Sequence, residues 1–163
     1  MHSQPPVPLQ LTATQAAFLG GPVAINAASH DAIGIPSIAR GFGCRVTPDR
    51  REVVILLSMQ RAQAVLRDLA AGAAIAVVFS RPKTHETLQL KGMRGRIQPL
   101  AEGDREIMLA YGAAFAAEIV ALGYHERFAR SLTQPAGDEA IAVAFVPNAA
   151  FDQTPGPKAG MRL

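Results

Sequence analysis

The chain has 163 residues, enough for one domain with a substantial core, and 49% of them are hydrophobic while only 18% are charged. Sixteen Lys and Arg against thirteen Asp and Glu give a formal charge of +3, but the cations are scattered, with a small excess between Arg81 and Arg96; a nucleic-acid binder concentrates them on one face or in a tract. One cysteine, Cys44, excludes an intrachain disulfide framework and reads as a small buried residue. Neither a secretory signal nor an apolar run of membrane-spanning length is visible, which sets cytoplasmic localisation as the expectation. So apolar a composition needs its surface covered, which points to an oligomer.

Residues 1–11, rich in proline, read as a flexible or clasping arm. Thr12 and Thr14 are capping residues for a short helix, Gln15–Leu19, stopped by Gly20 and Gly21. Pro22–Ser29 has strand character, His30–Gly34 has turn chemistry, and Ile35–Val46 is a second strand. Arg51–Leu57, dense in Val, Ile and Leu, is predicted to be a central strand. Ser58 reads as the N-cap of a helix with Ala62, Val65, Leu66 and Leu69 on one face, ended by Gly72. Ala73–Phe79 is a buried strand. Thr87–Leu100 is a long alternating strand in which Gly92 and Gly95 signal a bulge or a close approach. Asp104–Leu122 is the clearest helix, and Tyr124–Leu132 is a further short one. Ala140–Val146 is the last strand, and 148–163 is expected to be an irregular tail. Strands joined by short turns, with one crossover helix and late helices, give an α+β domain over 12–147.

No nucleophile elbow, Walker loop or dinucleotide fingerprint occurs, and His2, His30, His85 and His125 lack metal-ligand spacing. Phosphate chemistry remains. Ser37 and Arg40 lie on the second strand, and Ser58, Gln60 and Arg61 at a strand-to-helix junction where free N–H groups favour an anion. Ser80, Arg81 and Lys83 lie just past the next strand, and Gln89 and Lys91 on the long one. All are near the ends of neighbouring strands, so their polar tips are candidates to converge on one ligand or to remain ordinary solvated strand ends.

The stretch from Ala74 through Phe79, Ser80, Arg81 and Pro82, then Thr84 and His85, then Leu88-Gln89-Leu90-Lys91-Gly92, resembles the pyridoxamine 5'-phosphate oxidase-like, flavin-binding split-barrel family. Ile55-Leu56-Leu57-Ser58 with its amphipathic helix, and Pro36-Ser37-Ile38-Ala39-Arg40, fit the same pattern. The resemblance covers roughly 12–146. It implies a six-stranded antiparallel split β-barrel with flanking helices, forming a homodimer that holds flavin mononucleotide (FMN) in two clefts between subunits. By that resemblance Arg40 meets the flavin or its phosphate, Ser58 approaches the flavin, Arg61 is a basic residue on the phosphate, and Gln89 contacts the cofactor. Ser80, Arg81 and Lys83 complete the candidate cofactor-binding set. A deazaflavin and haem are the alternative cofactors.

The chain departs from the vitamin oxidases of that family. Their C-terminal arginine and histidine substrate motif is missing, and there is no Trp. The expectation is therefore an FMN-dependent oxidoreductase of unidentified small-molecule substrate that is not itself a pyridoxamine 5'-phosphate oxidase, with no side chain assigned as acid or base. The alternatives are a non-catalytic flavin- or haem-binding stress or sensor module, and a dimeric scaffold with an empty cleft.

Overall fold

The structure is a computed structural model that describes residues 8–134 and 139–163. Its elements are α1 (Ala13–Leu19), β1 (Ala24–His30), β2 (Pro36–Val46), β3 (Val53–Ser58), α2 (Gln63–Ala70), β4 (Ile75–Ser80), β5 (Thr87–Gly92), β6 (Arg96–Gln98), α3 (Asp104–Ala121), α4 (Glu126–Ser131), β7 (Ala140–Phe145), β8 (Ala149–Asp152) and β9 (Met161–Arg162). The strands form one antiparallel sheet in the order β6-β7-β3-β2-β1-β4-β5-β8-β9. Six of them, β7-β3-β2-β1-β4-β5, make its body; β6, β8 and β9 are short additions at the edges. The crossover through α2 is why β4 pairs with β1 and not with β3.

The sheet is not closed, but it curls until its two sides touch. The expected long strand is in fact two: β5 breaks after Gly92, and the chain turns through 93–95 to pair as β6 with β7. The glycines mark the close approach. A Cβ on Gly92 would lie 2.9 Å from Phe145 Cδ2, and one on Gly95 would lie 3.1 Å from Leu69 and from Val143. Inside the curl, Ile25, Ala27, Val53, Ile55, Leu57, Val77, Phe79, Leu88, Leu90 and Val143 form the main core. Strand β3 is buried on both faces, as its unbroken aliphatic run requires. Val54 and Leu56 point the other way, into a second cluster with Ala142 and Ala144, covered by Ile107 and Met108 of α3.

Two further expectations change. Helix α2 starts at Gln63, with Ala62 at its N-cap and no side-chain cap; Ser58 instead opens the preceding turn, its Oγ accepting the Arg61 N–H at 3.4 Å. The tail is not irregular, because β8 adds to β5 and β9 adds to β8. Residues 9–11 are tied down: the Leu9 N–H donates to Pro147 O, the Leu11 N–H donates to Arg50 O, and Leu11 is buried. Residues 1–7 of the arm lie outside the described residues. Thr12 does cap α1, in a reciprocal box with Gln15.

Candidate functional site

The alternation of a strand puts one side-chain set into the curl and the other outside it. Outside, the registers align a transverse row. Arg40 of β2 faces Asn26 of β1, Asn26 faces Val78 of β4, Val78 faces Gln89 of β5, and Gln89 faces Phe151 of β8. Leu57 pairs with Gly41, so Ser58 lies level with Arg40 and extends the row onto β3. Arg40 and Gln89 are three strand spacings apart, about 14 Å. One ligand touching both must be elongated.

The flanking rows are built mostly from small residues. One runs Ile38, Ala28, Ala76, Lys91, Ala149, and the other runs Ala24, Ser80, Thr87. Ala24, Ala28, Ala76 and Val78 are only half-buried, leaving a shallow floor with polar groups at both ends. At one end of the floor Ser80 Oγ and Thr87 Oγ1 are 2.7 Å apart. At the β8 edge Gln153 Nε2 donates to Gln89 Oε1 at 3.4 Å, and Lys91 Nζ stands 5.0 Å from the centre of the Phe151 ring.

Arg40 is the unusual member. A bulge in β2 places two residues, Phe42 and Gly43, opposite the single Leu56. That extra residue lets Arg40 and Arg45, five positions apart, both face outward under α3. The Arg40 guanidinium sits 4.9 Å from the centre of the Phe115 ring. Among the described residues, the buried side-chain polar atoms without a hydrogen-bond partner are its Nε and Nη2. Beside it, burial pushes the Tyr111 phenol up to about 12, against the pull of the Arg40 charge, and its hydroxyl donates to Val23 O at 2.9 Å. Arg40 as a whole is half-buried, but two of its N–H donors are held out of water without an acceptor, which is unfavourable unless an anion takes them.

The other predicted residues divide. Ser58 is fully buried and engaged in its turn, while Arg61 is exposed in that turn. Ser80 lies on the floor. Arg81 does not reach onto it: its Nε donates to Glu118 of α3 at 3.0 Å. That hydrogen bond is the leading cause holding the Glu118 carboxyl below its usual range. Lys83 is exposed in the following turn, close enough to add to the same effect. Ser37, on the curl side, donates to the buried Asp68 of α2 at 2.6 Å and serves packing. The sequence reading missed Asn26, Tyr111, Phe115, Phe151 and Gln153. Asn26 carried a signal, a polar residue in the outward phase of an otherwise small, apolar strand; the rest depend on pairings remote in sequence.

No protein-family model matches the chain, and no curated protein matches it in sequence. Solved structures do match. A candidate pyridoxamine 5'-phosphate oxidase from Lactobacillus delbrueckii is 13% identical with a TM-score of 0.54, over 87% of this chain and 93% of that one. HupZ from Group A Streptococcus is 15% identical with a TM-score of 0.55, over 93% of this chain and 100% of that one. An F420 reductase is 16% identical with a TM-score of 0.51, over 82% and 93%. At such identities the likeness is one of fold, and the chain has the fold of the pyridoxamine 5'-phosphate oxidase-like split-barrel proteins.

Proposed function

We propose that the chain binds FMN along the Ser58–Arg40–Asn26–Val78–Gln89–Phe151 row and acts as a flavin-dependent oxidoreductase on a small molecule. The observation that carries this reading is Arg40, half-buried against the Phe115 ring with its Nε and Nη2 buried and unpartnered. A phosphate accepts both donors in a charge-assisted, two-point contact. The floor of Ala and Val leaves room for a flat ring between that anchor and Gln89, and Phe151 offers an aromatic edge beyond it. Bound FMN would supply hydride or electron transfer; the chain's residues bind, orient and shield.

The same face calls for a second copy. Ile33 is 83% exposed and Ile38 70% exposed on the β1–β2 hairpin beside a half-buried floor. We read this face as covered by the partner in a homodimer, which would close the cleft over the ring. Pyridoxamine 5'-phosphate is not the expected substrate. Its phosphate needs a second anion clamp, and the tail that would carry one is folded into β8 and β9, with Arg162 Nη2 donating to Asn148 O at 3.3 Å.

The test is equilibrium titration of the purified protein with FMN, F420 and haemin, followed by visible spectroscopy and sedimentation. Tight, saturable FMN binding by a dimer is the expected result. Binding of haemin with a Soret band and no affinity for FMN would overturn the reading and favour the haem-binding alternative.

A further inference from the structure

We propose that Gln153, in the C-terminal segment, is a positioning residue that turns the Gln89 amide so that its NH2 group, and not its carbonyl, faces the ligand; this rests on the cofactor reading above. The tail is held beside β5 by its backbone. Phe151 is level with Gln89, the Gln153 N–H donates to Thr87 O at 2.8 Å, and Thr154 Oγ1 accepts the Thr87 N–H at 3.0 Å. These contacts carry the ladder past β8 and leave the Gln153 side chain on the same outward face as Phe151 and Gln89. There Gln153 Nε2 donates to Gln89 Oε1 at 3.4 Å.

An amide side chain has one acceptor oxygen and two donor hydrogens. With its oxygen taken by Gln153, Gln89 has only donors left for the row it lies on. The ligand chemistry that complements this is an acceptor on the edge of a ring, a carbonyl oxygen or a ring nitrogen. Beyond that one bond to Gln89, the tail is held by the Gly160 N–H donating to Asp152 O at 2.7 Å and by the Thr87 contacts, which the Gln153 side chain does not make. Replacing the side chain should leave the fold intact.

The experiment titrates FMN into the wild-type protein and into Gln153→Leu, Gln153→Glu, Gln89→Leu and the double Leu variant, with thermal unfolding of each apoprotein. Gln153→Leu should weaken binding by roughly three- to tenfold, the loss of one neutral hydrogen bond's worth of orientation. Gln153→Glu should weaken it at least as much and shift the bound flavin's visible spectrum, because a carboxylate only accepts and draws the Gln89 NH2 group away from the ligand. In the Gln89→Leu background, Gln153→Leu should change affinity by less than about twofold, as coupled residues do. Unchanged affinity in Gln153→Leu, or an equal loss with and without Gln89, would overturn the inference while leaving FMN binding standing. A wild-type protein that does not bind FMN would instead remove the cofactor reading, and this inference with it.

Discussion

Arg45 and Arg40 share a strand, a face and an overlying helix, yet only one of them has an acid. Arg45 Nε donates to Asp104 Oδ1 at 2.6 Å, at the first turn of α3, where the carboxylate is fully buried and also accepts the Ala101 N–H. Toward the other end of the helix Glu118 takes Arg81. Between them α3 passes over Arg40 and offers it a phenyl ring and a tyrosine. The helix thus neutralises the arginines at its two ends and offers the middle one no acid, leaving its Nε and Nη2 without a hydrogen-bond partner. A fold selected for stability alone would put an acid or an apolar residue there. The two outer pairs hold α3 down, while Arg40 carries buried donors that no acid of the described chain matches, which is the ground for proposing an anion from outside as their partner.

That comparison can be broken by removing charges one at a time and measuring stability in urea. Asp104→Ala should cost the most, about 2–3 kcal/mol, because it strands a partly buried guanidinium and frees a backbone N–H; Arg45 retains some solvent access, which keeps the loss below that of a fully buried pair. Glu118→Gln should cost about 1 kcal/mol or less, since Arg81 is 40% exposed and water replaces much of the contact. Arg40→Met should change apoprotein stability by less than about 1 kcal/mol or raise it, as the aliphatic stem still packs and an unpaired charge is gone. Arg40→Met as destabilising as Asp104→Ala would mean that Arg40 belongs to the scaffold after all.

Acid sharpens the same contrast. Hydrogen bonding from Arg81 lowers the pKa of Glu118, and hydrogen bonding from Ser37 leads the lowering of that of Asp68. Groups depressed in the folded state add stability that is complete above their ordinary values, 4.5 and 3.8, and is lost as pH falls through the lower folded values. Urea midpoints should therefore be flat from neutral pH down to the carboxylate range and fall below it. In Glu118→Gln the fall should be shallower.

The fold was legible wherever a local pattern decided it. The aliphatic run of β3, the repeat of Tyr111, Phe115 and Ile119 in α3, and the glycines at the β5–β6 break all carry their own explanation. Strand β8 was not legible. Ala149-Ala150-Phe151-Asp152 has no β-branched residue, and it is extended only because β5 offers an unpaired edge. Ser58 looked like a helix cap because its type is right, but the chain first turns through 59–62. In the candidate site, Arg40 and Gln89 stand out as polar residues near strand ends and by resemblance, whereas their place in a single row follows from register, which spans four strands. The partners of the outer arginines lie 59 and 37 residues away, so no window of sequence shows which cation is matched. Arg81 therefore looked as available as Arg40.

The most direct test of the unmatched arginine compares FMN with riboflavin, which differ by the phosphate, in the wild-type protein and in Arg40→Met. Arg40→Met should weaken FMN by about 10- to 150-fold, the worth of a charge-assisted bond to phosphate, and change riboflavin by no more than about threefold. Equal losses for the two ligands would contradict this reading, because Arg40 would then be supporting the cleft and not reading the anion.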